Sequence, residues 1–276
     1  MPELPEVETI ARGLRQTLVG QQVADVAVRW ERIVASPSVD EFRTRLLGQT
    51  ILSVGRRGKY LVFGLSADTL IIHLRMTGQL LCAGWHTSAP AVACDDPHAH
   101  LMLRFTSGAA LCYRDVRKFG RFWLVADPAE VLGTLGPEPL DPGLTAARFH
   151  ALVHARRRRL KDLLLDQAFL AGLGNIYVDE ALWQARLHPR RRGSTLAEEE
   201  SARLHDAMRA VLRRAIAARG TTLRDYRDAF NAPGSNQDGL AVYGRAGQPC
   251  PRCGAAITRE VVAGRGTHVC PVCQGE

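Results

Sequence analysis

Four cysteines near the C-terminus restrict the fold more than any other feature of the chain. They form two pairs, Cys250-Pro251-Arg252-Cys253 and Cys270-Pro271-Val272-Cys273, with sixteen residues between them. A two-residue spacing lets both thiolates of a pair converge on one tetrahedral ion, and a ribbon of this length can fold back so that the second pair completes the shell. Four thiolates leave no open coordination position, so one structural Zn2+ is expected, with Cys250, Cys253, Cys270 and Cys273 as its ligands. The alternative, two disulfides, needs an oxidising compartment. The chain starts on Pro2 and three early glutamates rather than on a basic stretch followed by an apolar one. It also lacks an apolar run of about 18 residues. A cytoplasmic, reducing location without a membrane is therefore expected. Cys82, Cys94 and Cys112 are scattered and read as buried or loop thiols.

Hydrophobic periodicity divides the rest of the chain. Val7, Ile10, Leu14 and Leu18 recur every three or four residues, which predicts a helix over 3–19 with Gly20 as its stop. From there to Val125 the pattern becomes short β-rich runs, at 23–30, 50–54, 59–65, 69–76, 100–105, 109–114 and 121–125, the signature of a β-sandwich or barrel. Residues 82–98, rich in Ala, Pro and His, read as a surface loop, with His86, His98 and His100 solvated rather than metal-bound. The segment around Gly136-Pro137-Glu138-Pro139 reads as a linker. Helical periodicity follows at 145–154, 156–166, 175–187 and 196–219, then a polar stretch at 220–233. The expected fold is multidomain α and β. Residues 1–133 form an N-terminal β-sandwich with its leading helix, 134–145 a linker, 146–235 a helical domain and 236–276 the zinc ribbon.

Lysine and arginine total 36 against 28 acidic residues, a formal charge of +8. An anionic partner follows, although charge alone does not choose between nucleic acid, membrane and acidic substrate. Positive charge concentrates at Arg56-Arg57-Gly58-Lys59, Arg156–Lys161 and Arg190–Arg192, and the ribbon adds Arg245, Arg252, Arg259 and Arg265. The N-terminus offers chemistry as well. Pro2 is a small residue after which an initiator methionine is removed, leaving a secondary amine. Such an amine titrates near about 8, so a useful fraction is nucleophilic at neutral pH. Its condensation with a sugar aldehyde gives an iminium, an electron sink that acidifies the neighbouring carbon. Glu3 and Glu6, three apart, share a helix face beside it. Proline and glutamate in a first helical turn are also ordinary helix-start residues.

The string Met1-Pro2-Glu3-Leu4-Pro5-Glu6-Val7-Glu8-Thr9 closely resembles the N-terminus of the formamidopyrimidine-DNA glycosylase family, also called 8-oxoguanine-DNA glycosylase. The resemblance continues in order through Gly58-Lys59-Tyr60, His73-Leu74-Arg75-Met76-Thr77-Gly78, Asp115-Val116-Arg117-Lys118-Phe119-Gly120, Gly172-Leu173-Gly174-Asn175-Ile176-Tyr177, Gly220-Thr221-Thr222-Leu223 and the cysteine ribbon. It implies a helix-two-turns-helix domain in the helical segment. It also implies a bifunctional glycosylase and AP lyase of base excision repair, acting on double-stranded DNA with oxidised purines or abasic sites, as a monomer. Pro2 would attack the sugar, Glu3 would handle protons, and Glu6 would orient water or the N-terminus. Lys59 would contact phosphate near the lesion, and Arg265 of the ribbon joins this catalytic set. Met76, Arg117 and Phe119 would fill the space left by the everted base, with Lys118 facing the backbone. His98, Lys161 and Asn175 would add DNA contacts, and residues 220–233 would close over the lesion. Thr77 stands where some relatives carry Glu or Ser.

Two other readings compete. The related endonuclease VIII type shares the Pro-Glu start, the lysine and the ribbon but prefers oxidised pyrimidines. A DNA-binding protein without chemistry could keep the same scaffold.

Overall fold

The apolar stripe near the N-terminus becomes α1, Leu4–Leu18, which buries Leu4, Val7, Ile10, Leu14 and Leu18. Pro5 occupies its first turn, where the missing N–H loses no intrahelical bond. The Glu6 carboxylate accepts the Glu3 N–H at 2.8 Å in a capping-box arrangement. The computed structural model describes residues 1–84 and 96–275. They group into two units, residues 1–134 with 218–235 and residues 135–217 with 236–276. Most of the loop expected at 82–98, with His86 and Cys94, lies outside the described residues.

The first unit continues with β1 (Val23–Val28), β2 (Val34–Ser36), α2 (Val39–Leu46), β3 (Ile51–Arg57), β4 (Tyr60–Leu65), β5 (Thr69–His73), β6 (Gln79–Ala83), β7 (Ala99–Phe105), β8 (Ala110–Arg114), β9 (Arg121–Val125) and α3 (Ala129–Leu132). One sheet has the order β1-β7-β8-β6 and the other β2-β9-β5-β4-β3. Alternation along β4 sends Leu61, Phe63 and Leu65 inward. They join Val26, Leu101, Leu103 and Leu111 of the other sheet and the α1 stripe in one core. Three differences from the sequence reading stand out. The run at 69–76 stops at His73, because Arg75 takes a left-handed φ of +55°. The elements β2, α2 and β6 were not expected. Residues 225–229, grouped with the helical segment in the sequence reading, instead line the free edge of β6, where Cys82 N–H donates to the Ala229 carbonyl at 2.9 Å and Gln79 to that of Asp225 at 2.5 Å. A covered edge cannot recruit another strand. Cys82 is a buried thiol as expected, whereas Cys112 on β8 is disulfide-bonded.

The second unit comprises α4 (Ala146–His154), α5 (Leu160–Leu165), α6 (Asn175–Ala185), α7 (Glu198–Ala217), β10 (Thr258–Val262) and β11 (Arg265–Val269). The segment expected as a linker is pinned to it: Gly136 N–H donates to Gln167 O at 3.0 Å, and Arg209 to Pro139 O at 2.8 Å. The helix expected over 156–166 begins only at Leu160, because Arg159 is extended and bridges to Arg192. The buried Glu180 of α6 accepts the N–H groups of Ala241, Val242 and Tyr243, each at 2.9 Å. This helix is thus the spine on which the C-terminal module is mounted. The β10–β11 hairpin turns through Ala263 and Gly264, both at positive φ, as a two-residue turn matched to strand twist requires. No described helix is long and apolar enough to cross a membrane.

Candidate active site and nucleic-acid-binding elements

At the head of α1, Pro2 is buried and Met1 exposed. Glu3 and Glu6 are 4% and 2% exposed, an unusual degree of burial for two carboxylates so close in sequence. Glu6 uses one oxygen for the Glu3 N–H and the other for the Thr221 N–H, at 2.7 Å. The Tyr226 hydroxyl donates to the Arg219 carbonyl at 3.1 Å and reaches that of Glu6 at 3.4 Å. Residues 219–226 are therefore fastened to the start of α1. Glu6, expected to orient water or the N-terminus, holds two backbone groups in place.

Lys59 sits buried at the turn between β3 and β4, where Gly58 adopts a φ of +57° that other residues avoid. Arg56 fixes this turn to α1, donating to Glu8 at 3.0 Å and to the Gly58 carbonyl at 3.1 Å. Burial opposes ionisation of Glu8, but hydrogen bonds and charge from Arg12 and Arg56 prevail and hold its carboxyl below the usual range. His73 escaped the sequence reading as a site residue. Burial, then the positive charges of Arg75 and Lys59, push its pKa down to about 3. Its neutral ring accepts the Arg75 N–H at 3.0 Å. The only available signal was its place three residues ahead of Met76.

Met76 and Phe119 are 46% and 50% exposed on two separate loops, and Arg117, on the loop of Phe119, is exposed as well. Arg117 Nη1 approaches Met76 Sδ at 3.1 Å, so the two loops meet at their tips. Lys118, at a φ of +58°, places Nζ 4.2 Å from the centroid of the Trp30 ring. His98 is half-buried, and its carbonyl accepts the Asp115 N–H at 3.0 Å, which sets it beside the same loop.

In the second unit Asn175 is the first residue of α6, and Gly174 is the cap. Its Nδ2 donates to the Gly266 carbonyl at 2.9 Å, beside the exposed Arg265. The expected DNA contact of Lys161 is corrected. Its side chain is fully buried, and Nζ donates to Asp179 at 2.6 Å, Thr267 at 2.7 Å and the Gly266 carbonyl at 3.5 Å. An ammonium has three hydrogens and these partners occupy them, so no phosphate can approach. The basic runs are similarly tempered. Arg158 pairs with Asp166, Arg159 with Asp162, Arg190 with Glu260 and Arg191 with Glu200.

The four ribbon sulfurs lie within 4.8 Å of one another. Cys253 and Cys270 are 3.4 Å apart, Cys250 and Cys273 3.9 Å. Tetrahedral zinc–sulfur bonds of about 2.3 Å demand sulfur separations of about 3.8 Å, so the residues fit the ion. Trp183 Nε1 donates to Cys250 Sγ at 3.4 Å, and Arg252 stacks 4.2 Å over the Trp183 ring. These contacts supply an outer layer that orients a ligand. The ribbon is a site for one structural Zn2+.

Comparison with known proteins agrees with this arrangement. Residues 1–122 match the formamidopyrimidine-DNA glycosylase N-terminal domain, residues 135–227 the formamidopyrimidine-DNA glycosylase H2TH domain, and residues 247–275 a zinc finger found in FPG and IleRS. The formamidopyrimidine-DNA glycosylase of Roseiflexus sp. (strain RS-1) is 49% identical over 99% of this chain and 100% of its own length. Wild-type Lactococcus lactis Fpg (MutM), solved with DNA containing N7-benzyl-Fapy-dG, superposes with a TM-score of 0.89 at 39% identity and full coverage of both chains. The same Lactococcus lactis enzyme bound to abasic-site DNA gives 0.89 at 39% identity, covering 99% of this chain and 100% of that one. The chain belongs to the formamidopyrimidine-DNA glycosylase family.

Proposed function

We propose that this chain is a bifunctional DNA glycosylase and AP lyase that removes oxidised purines, 8-oxoguanine and formamidopyrimidines, from duplex DNA in base excision repair. The observation that carries the reading is the buried head of α1, where Pro2, Glu3 and Glu6 meet the fastened start of the 219–235 segment. Once Met1 is removed, the Pro2 nitrogen adds to the sugar C1′, the bond from C1′ to the damaged base breaks, and the departing base takes up the proton that the amine gives up. Glu3 delivers a proton as the sugar ring opens, which leaves a cationic iminium on Pro2. Loss of a C2′ proton then forms the C2′–C3′ double bond and expels the 3′ phosphate. A second elimination expels the 5′ phosphate, and water returns the free amine.

The remaining groups bind and orient. Lys59 and Arg265 hold phosphates flanking the lesion, Arg265 from the tip of the ribbon hairpin that Asn175 supports. A fixed guanidinium suits phosphate through paired N–H donors. Asn175 and the amides at the start of α6 favour an anion, as helix N-termini do. Met76, Arg117 and Phe119 enter the space vacated by the everted base, which offsets part of the unstacking cost. His98 and Lys118 contact the DNA beside them. The segment 220–233 closes over the base. The enzyme works as a monomer in the bacterial cytoplasm.

Glu3→Gln tests the proton role. The variant is expected to bind lesion duplex normally and to excise at least about a hundredfold more slowly. Near-normal excision removes Glu3 from that role. Excision of 8-oxoguanine opposite cytosine compared with thymine glycol tests the substrate, and a preference for the pyrimidine overturns the purine assignment.

A further inference from the structure

Asp115 opens the loop that carries Arg117 and Phe119, and its side chain is fully buried. Oδ2 accepts from the N–H groups of Phe119 at 2.8 Å and Gly120 at 2.9 Å, and from the Tyr113 hydroxyl at 2.9 Å. Oδ1 accepts from the Arg117 N–H at 3.1 Å and from the Thr77 hydroxyl at 2.5 Å. Thr77 follows Met76 on the other loop, and its oxygen also lies 3.3 Å from the Arg117 nitrogen. Burial opposes ionisation of Asp115, yet the hydrogen bonds, that of Thr77 foremost, hold its carboxyl below the ordinary range. The Tyr113 hydroxyl reaches this carboxylate only because residues 78 and 120 lack side chains. A Cβ on Gly120 would lie 1.7 Å from that oxygen and one on Gly78 2.6 Å. The two loops therefore share a buried polar knot at their base and meet again at their tips, where Arg117 touches Met76.

We propose that Asp115 and Thr77 are positioning residues that lock Met76, Arg117 and Phe119 into one rigid wedge before DNA binds. The proposal rests on the reading of those three side chains as the group that fills the vacated base position. A wedge ordered in advance loses little conformational freedom on insertion, so more of its contact energy goes into holding the base out of the stack. Base eversion is the step that depends on it. The bond-breaking chemistry at the head of α1 does not. The Thr77 hydroxyl, already engaged within the knot, serves the wedge and not the damaged base.

Thr77→Val keeps the side-chain shape and removes the hydroxyl, and Thr77→Ser keeps the hydroxyl. Single-turnover excision of 8-oxoguanine opposite cytosine is compared with borohydride trapping on a duplex that holds a preformed abasic site, where no base has to leave the stack. For Thr77→Val the ratio of excision to trapping is expected to fall about tenfold, the scale of one hydrogen bond to a buried charge. Thr77→Ser should restore it. Asp115→Asn should shift the ratio in the same direction, and if that protein fails to fold the Thr77 pair still decides. A wild-type ratio in Thr77→Val, or no recovery in Thr77→Ser, overturns the lock. Wild-type protein measured alongside separates the two layers, because its own failure to excise would sink the glycosylase reading instead.

Discussion

Arg117 and Arg265 both stand exposed on segments tied to a buried aspartate, the Arg117 loop directly through Asp115 and the strand of Arg265 three residues on, where Asp179 takes the His268 N–H, but the two aspartates are balanced by different means. Asp115 distributes its charge over backbone N–H groups and the hydroxyls of Thr77 and Tyr113. Asp179 faces the Lys161 ammonium at 2.6 Å and takes the His268 N–H at 2.9 Å, while four cysteines close the other end of the ribbon. Many weak donors degrade gradually when one is lost, each costing about 1–3 kcal/mol if a buried acceptor is left short. A single buried cation fails all at once, since removing it strands an uncompensated charge at a cost of about 3–5 kcal/mol. The wedge and the ribbon tip are thus anchored with different tolerance to change.

The sharpest way to break this comparison is Lys161→Met. Chemical denaturation should show a loss of about 3–5 kcal/mol in the second unit, and adding Asp179→Leu should recover part of it. A loss below about 1 kcal/mol would place Lys161 outside the ribbon's anchoring. Zinc removal by a chelator comes next. Hydrogen exchange should rise across residues 247–275 and affinity for duplex should fall about tenfold or more, whereas the loops at 74–78 and 115–120 keep their protection. Increased exchange in those loops would mean that the two anchors are not independent.

A third test concerns pH and the first unit alone. His73 has a folded pKa of about 3 against an ordinary value of 6.5. Between these values the unfolded chain takes up a proton that the folded one does not. Its contribution is therefore complete above pH 6.5 and declines as pH falls towards 3, by up to about 1.4 kcal/mol per pH unit. His73→Gln should flatten the stability profile across that window. Glu8 and Asp115, both held below their ordinary values, extend the decline to lower pH. An unchanged slope in the variant would show that His73 is not the group responsible.

Much of this architecture could be read from residue patterns, for identifiable reasons. The α1 stripe, the alternating strands and the paired cysteines each carry a period or spacing set by local geometry. The missed elements are short or interrupted. Residues 34–46 are broken by Pro37, and β6, Gln79–Ala83, begins directly after the loop at 74–78. Lys161 comes just after a run of four arginines and is implied by the resemblance to contact DNA, yet it lies three residues before the buried Leu164 on the same helix face. Asp115 was visible inside a motif, but its role depends on Thr77, Tyr113 and Gly120 coming together. Nothing in the linear pattern reports that Glu6 grips Thr221, more than 200 residues away.

The most direct measurement is borohydride trapping of protein freed of Met1 on a duplex with an abasic site, with the adduct located by mass spectrometry of the digested complex. The expected result is a reduced link between the sugar and the Pro2 nitrogen. An adduct on Lys59 or another lysine, or equal trapping by protein that keeps Met1, would contradict the chemistry assigned to the head of α1.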